Sequence, residues 1–222
     1  MAHFTAVDLE AQDRLNDAKK VLDYIHTIEP DHALTELCKV LKGSFFVLLY
    51  AALEKTVFYL VNQCIQILNT KNLQLLDIKP VLWAIVFNDE CNAIHDAGDK
   101  KWTKRWELFS QVDNVRIKQI NDNLYPTTTG NIKLPQIEGI WKTFGISTPA
   151  RMNNRIATRL SSLAENRMKV AHGRETSSVV GSSYTANDLD KYYSEVNAYI
   201  AYLISCFEQY IDNEEYNSKH SI

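Results

Sequence analysis

Turn-forming residues are scarce. Seven glycines and five prolines in 222 residues are too few for a chain of many short strands, so long helices are expected. Cysteine is equally sparse: Cys38, Cys64, Cys91 and Cys206 stand far apart with no CxxC pair. That spacing removes the common zinc and dithiol patterns. Three of the four (Cys38, Cys64 and Cys206) fall in apolar helical stretches, as reduced thiols of a cytoplasmic protein do. Positive charge is not in excess either, with 24 Lys and Arg against 27 Asp and Glu, so any surface for a polyanion has to be a local patch. The opening MAHFTAVDLEAQDRL has no apolar stretch behind basic residues, and no signal peptide is expected. The most apolar run, Phe45 to Leu53, meets Glu54-Lys55 at once and reads as too short to span a bilayer. No P-loop, GxGxxG or GxSxG occurs, so no cofactor is expected. Glu90, His95 and Asp96 lack further ligands at metal spacing, and no metal is expected.

What is present is helical periodicity. The length and the 45% hydrophobic content suit one domain, residues 1–222, with a sizeable core. Residues 8–28 place Leu15, Ala18, Val21, Leu22 and Ile25 on one face. From about Leu34 to Leu68 the pattern stays helical and becomes apolar nearly all round, which marks a central helix packed by several others. Residues 79–95 predict a third helix and 102–120 a fourth, with Trp102, Trp106, Phe109 and Val112 on one side. NDNLYPTTTGNIKLP (121–135) holds two prolines and dense turn chemistry, and reads as a loop. A short helix follows from Gln136 to Phe144. A long one is expected over 148–172, with Thr148 as its cap, Pro149 in its first turn and Gly173 as its stop. Residues 174–186 read as a polar Ser/Gly turn, and Ala186 to Tyr210 as a last helix. The fold class expected is all-α, a bundle with core segments 34–70 and 136–212 around a loop-rich variable insertion at about 71–135.

The helix over 148–172 carries the chemistry. Its inward residues step Ile156, Leu160, Leu163, Arg167, Val170, so Arg167 takes a core-facing slot, where a guanidinium needs a partner or a ligand. Glu54, embedded in the apolar central helix, is the candidate partner. Between Ala150 and Arg174 the cations Arg151, Arg155, Arg159, Arg167, Lys169 and Arg174 meet the single acid Glu165. Arg151, Arg155 and Arg159 stand four apart as one ridge, suited to a phosphate backbone or to pairing with acids elsewhere. His172 lies about 140° round the helix from Arg167, and histidine transfers protons in both directions near neutrality. Glu165, seven residues before it on nearly the same face, is placed to orient it.

The stretch ENRMKVAHGRE (165–175) resembles the Arg-x4–6-His motif of the HEPN superfamily. GNIKLPQIEGIWKTFGI, LSSLAENRMKVAHGRE and VVGSSYTANDLDKYYSEVNAYIAYLISCFEQYIDNEEY are similar to its MAE-type branch, close to the RiboL-PSP-like HEPN proteins. LLYAALEKTVFYLV resembles that branch's central helix. Residues 40–68 and 130–216 carry the likeness, about half of the chain. The resemblance implies a HEPN-type bundle and a homodimer with two Arg167–His172 pairs facing across a cleft. It implies metal-independent RNA cleavage leaving a 2′,3′-cyclic phosphate, in a toxin–antitoxin or phage-defence setting with an antitoxin or defence-complex partner. Arg167 and His172 are then the catalytic pair, Asn166, Glu165 and Glu54 their support, and Arg151, Arg155, Arg159, Lys169 and Arg174 the RNA-binding cations. The likeness departs at Met168, where many members have Asn, Asp or His. That departure keeps open a second expectation, an inactive HEPN module that dimerises and binds RNA or a partner. Arg174 stands where nucleotidyltransferase-modified members carry tyrosine, so that control is not expected.

KKWTKRWELF (100–109) interleaves four cations with two tryptophans. Such a segment can stack bases while binding phosphates. The tryptophans are four apart, and the reading that takes precedence is an amphipathic helix with its indoles in the core.

Overall fold

Residues 35–70 contain no proline, one glycine and an almost unbroken set of apolar side chains, a composition that forms a helix and buries it on all sides. In the computed structural model, which describes residues 3–110, 112, 119–126 and 131–220, this segment is α2 (Thr35–Thr70). Phe45, Phe46, Leu49, Leu53, Leu60 and Cys64 are fully buried along it, and full burial of such a side chain contributes about 1.5–3 kcal/mol. By length and composition alone α2 could cross a membrane, more than the Phe45 to Leu53 run suggested; 56% of its most apolar window is buried by the rest of the fold. Around it pack α1 (Thr5–Ile28), α7 (Ile156–Ala171), α8 (Ser177–Ser182) and α9 (Ala186–Asp212). α6 (Leu134–Phe144) closes one end and stops at Gly145, which has φ +67°. The described residues form no strand, only isolated bridge positions at Gln74 and at Ile78, which pairs with Asn217, so the fold is all-α.

Three expectations of local structure are corrected. The helix expected over 148–172 begins at Ile156. The carbonyls of three successive residues ahead of it are taken by side chains: Trp141 Nε1 donates to Thr148 at 2.8 Å, Tyr202 Oη to Pro149 at 2.5 Å and Tyr199 Oη to Ala150 at 2.9 Å. They are therefore not available to a helical ladder. Asn153 Oδ1, 3.0 Å from the amides of both Arg155 and Ile156, then starts the helix.

The stretch 174–186 is not a turn but contains α8, capped by Thr176 Oγ1 accepting from Val179 N at 3.3 Å. Its glycine serves contact rather than bending. A Cβ on Gly181 would collide with the Lys39 carbonyl, and one on Gly43 with the Ser177 carbonyl, so α8 lies backbone to backbone on α2.

The insertion is also shorter in its helices than expected. Residues 79–95 divide at Phe87 into α3 (Trp83–Val86) and α4 (Asn88–Asp96). The helix expected over 102–120 is α5 (Lys101–Phe109), and much of its remaining length lies outside the described residues. Val112, beyond the end of α5, is half-buried against the core. The expected loop 121–135 is described except for residues 127–130.

Lys42 and Glu29 tie three helices together. Lys42 is buried and donates to Glu29 Oε1 at 2.5 Å, while the same carboxylate accepts from Ala186 N, the first amide of α9, at 3.0 Å. Burial by itself raises the Glu29 pKa, but the ammonium and the amide outweigh it and hold the carboxyl below its ordinary range.

Candidate functional site

The last turns of α7 bring Arg167 and His172 to the end of the bundle. Residues 169–174 close the helix in a Schellman pattern: Gly173 N donates to Val170 O at 3.1 Å and Arg174 N to Lys169 O at 2.9 Å. Gly173 has φ +65°, a conformation glycine adopts without strain. His172 is the capping residue just before it, with its backbone N donating to Met168 O at 3.1 Å. Its ring is exposed and makes no hydrogen bond to the described residues.

Arg167 is half-buried. Its guanidinium lies over the Tyr50 ring of α2, Cζ 4.8 Å from the centroid, and Nη1 donates to Asn131 Oδ1 at 3.5 Å, a long bond. Tyr50 is buried, and its Oη accepts from Ile132 N at 2.6 Å. The residues that flank Arg167 are thus held by one phenol, which joins α2 to the segment entering α6. Burial pushes the Tyr50 pKa up to about 12, with the Glu54 carboxylate acting in the same direction and Ile132 N and Arg167 opposing. The phenol is therefore neutral at physiological pH.

Glu54 does not hold Arg167. No ion pair joins them among the described residues; each instead neighbours Tyr50, from opposite electrical sides. Burial raises the pKa of Tyr125, with Glu54 acting in the same direction, and its buried Oη has no hydrogen-bond partner among the described residues. A neutral aromatic phenol thus lies where an Arg–Glu pair was expected. Stacking on a ring lets a half-buried guanidinium keep its charge available for a ligand.

Asn166, not Arg167, takes the fully buried slot in this turn. It is 6% exposed, and its Nδ2 donates to Tyr184 Oη at 2.8 Å, with Tyr184 packed on Phe46 and Tyr192. Its role is in the core, facing away from Arg167. Glu165 is exposed and its charge acts on Lys169; no hydrogen bond links it to His172.

The arginine ridge is corrected too. Arg151 lies before α7 and faces Glu138 at 3.8 Å. Arg159 forms a two-pronged bond with Glu195, 2.6 and 3.1 Å, with its guanidinium 4.0 Å from the Tyr192 centroid. That geometry makes it a structural strut between α7 and α9. Lys169 pairs with Glu175 at 3.1 Å. Arg155 and Arg174 are exposed with no side-chain partner among the described residues, which leaves them as the cations of the set open to a phosphate.

Among the described residues one group has metal-ligand chemistry: His3, Glu208 and Asp212. Its atoms are already used at the start of α1, with His3 Nε2 3.2 Å from Asp212 Oδ1 and Glu208 Oε1 accepting from Phe4 N at 2.8 Å.

Sequence reading missed Tyr50, Asn131 and Tyr184. Tyr50 is four residues before Glu54 on the same face of α2, the one signal available. Asn131 and Tyr184 meet α7 only through the tertiary fold.

The all-helical bundle thus carries Arg167 and His172 at the end of one helix. The chain belongs to the RiboL-PSP-HEPN family, whose profile matches residues 9–212. The matched span starts in α1 and ends in α9. Comparison with curated proteins and with solved structures returned no match. Membership carries a nuclease or RNA-related role in general terms.

Proposed function

We propose that the protein is an endoribonuclease that works without a metal, acting in the cytoplasm as a homodimer in a toxin–antitoxin or phage-defence system. The observation that carries this reading is the end of α7, where Arg167 rests on Tyr50 with no counter-ion among the described residues and His172 is exposed one residue before the glycine stop. A phosphodiester laid across that end meets a fixed positive charge and a proton-transfer group. His172 takes the ribose 2′-OH proton, or returns one to the leaving oxygen. The 2′ oxygen attacks phosphorus, the bond from phosphorus to the 5′ oxygen breaks, and the 5′ oxygen leaves protonated. Arg167 stabilises the charge gathered on the non-bridging oxygens. The products are a 2′,3′-cyclic phosphate and a 5′-hydroxyl. One histidine cannot serve as base and acid in the same step, so a second copy's pair across a dimer cleft fits the chemistry. Arg174, unpaired among the described residues, serves a flanking phosphate in this reading, and Arg155, at the opposite end of α7, one several nucleotides away.

The test is incubation of end-labelled single-stranded RNA with the protein in EDTA, beside Arg167→Ala and His172→Ala. Wild type should cleave and leave cyclic-phosphate ends, and His172→Ala should lose about 10²–10⁴-fold in rate. Equal cleavage by His172→Ala sinks the assignment. A second reading, an inactive dimerising module, is favoured by Met168, which puts a thioether where a polar neighbour of the arginine is common. Silence of both wild type and Met168→Asn would favour it.

A further inference from the structure

α5 reads KWTKRWELF, and its aromatic residues step by four and three along the helix, so that Trp102, Trp106 and Phe109 share one stripe. Such a stripe belongs in a core, yet these side chains are 62%, 67% and 69% exposed. The reading that buried the indoles is therefore corrected. Only Leu108 of the nine residues is even half-buried; α5 packs chiefly on α4. Three large exposed aromatics on three turns form an apolar patch, and patches of that kind mark a binding surface.

The charges say what binds. Arg105 Cζ sits 4.9 Å from the Trp102 ring centroid, and the Trp102 and Trp106 centroids are 6.4 Å apart with planes inclined by 36°. Lys104 is paired with Glu107 at 2.7 Å. Lys100, Lys101 and Arg105 have no acid partner among the described residues. A two-fold contact of α5 with its own copy would set four cations against the same four, which opposes a self-docking face. A ligand with flat apolar faces and negative charges between them satisfies both features at once, and an unpaired nucleic-acid strand is that ligand. The acids nearby in sequence, Asp89, Glu90, Asp96 and Asp99, leave the wider arm without a net positive field, so ring stacking carries more of the binding than charge.

We propose that α5 is a stacking platform for single-stranded RNA, with successive bases on Trp102 and Trp106 and their phosphates beside Lys100, Lys101 and Arg105. The choice of RNA rests on the endonuclease reading, and the platform deepens it by giving the substrate class. The strand is unpaired, and it is held with little regard to sequence because every base has a face to stack.

The experiment measures fluorescence anisotropy of a labelled 2′-O-methyl RNA of about a dozen mixed nucleotides, which binds but has no 2′-hydroxyl to be cleaved. Wild type is compared with Trp102→Ala/Trp106→Ala, whose exposed positions leave the fold intact. The expected result is at least roughly tenfold weaker binding by the double variant, and a similar loss for wild type with an abasic strand of equal length. Three unpaired cations also predict a shallow dependence on salt, a log–log slope of about −2. Equal binding by the double variant, or no binding by wild type, overturns the platform. So does loss of dimer mass in the double variant by light scattering, or wild-type flotation with phosphatidylserine vesicles without RNA binding. The endonuclease reading is judged separately by cleavage and its histidine dependence, so the two can fail independently.

Discussion

Tyr50 meets two unlike demands. Its ring supports the Arg167 guanidinium, and its hydroxyl holds the Ile132 amide beside Asn131. Replacing it by phenylalanine keeps the ring and removes the hydroxyl, leaving a buried amide without its partner. Urea denaturation of Tyr50→Phe should show a loss of about 1–3 kcal/mol, and RNA cleavage should fall as Asn131 loosens its hold on Arg167. Tyr50→Leu, which removes the ring as well, should lower cleavage further. If Tyr50→Phe matches wild type in both measurements, the phenol has no positioning role. At this scale the sequence disclosed Arg167 and His172 through their spacing and the glycine stop. It misassigned the partner of Arg167. An apolar helix with one carboxylate in its interior made Glu54 the candidate, because composition cannot say that an aromatic residue four positions earlier would lie between them.

The elements divide by what holds them. α1, α2, α6 and α9 follow from periodicity, because burial on one face or on all faces is written in the spacing of apolar residues. The start of α7 and the existence of α8 were not legible, for opposite reasons. Before α7, proline and threonine at 148–149 signal a helix start, but side chains of α6 and α9 capture the carbonyls such a helix would need. In α8 a glycine that reads as a turn former is there to let two backbones touch. Gly181→Ala and Gly43→Ala should each therefore cost about 3 kcal/mol or more, far above the helix-propensity gain of about 1 kcal/mol that alanine offers. Chemical denaturation decides this. A gain in stability for either variant would mean that the helices separate without penalty. Since α8 follows His172 by a short connection, these variants should also lower cleavage in protein that still folds.

Across the whole molecule, Glu29 joins the end of α1, the flank of α2 and the start of α9. Its carboxyl is held below the ordinary value of about 4.3, so the stability it adds is present above that value and is lost as pH falls through its lowered folded-state pKa. The advantage of wild type over Glu29→Gln in urea should be constant near neutrality and shrink on acidification below about pH 4.5. An advantage that does not change down to pH 3 would show that the contact works through packing alone. The four tryptophans also fall into two populations. Trp141 is buried, with its indole N–H bonded to Thr148, and Trp83 is half-buried with its own bonded to Leu75. Trp102 and Trp106 stand in water. A single emission spectrum is thus two superposed signals, a blue one tied to the bundle and a red one tied to α5. A quencher in solvent reaches the second far more readily than the first, so one cuvette can follow ligand capture at the arm while the other band certifies that the bundle is folded.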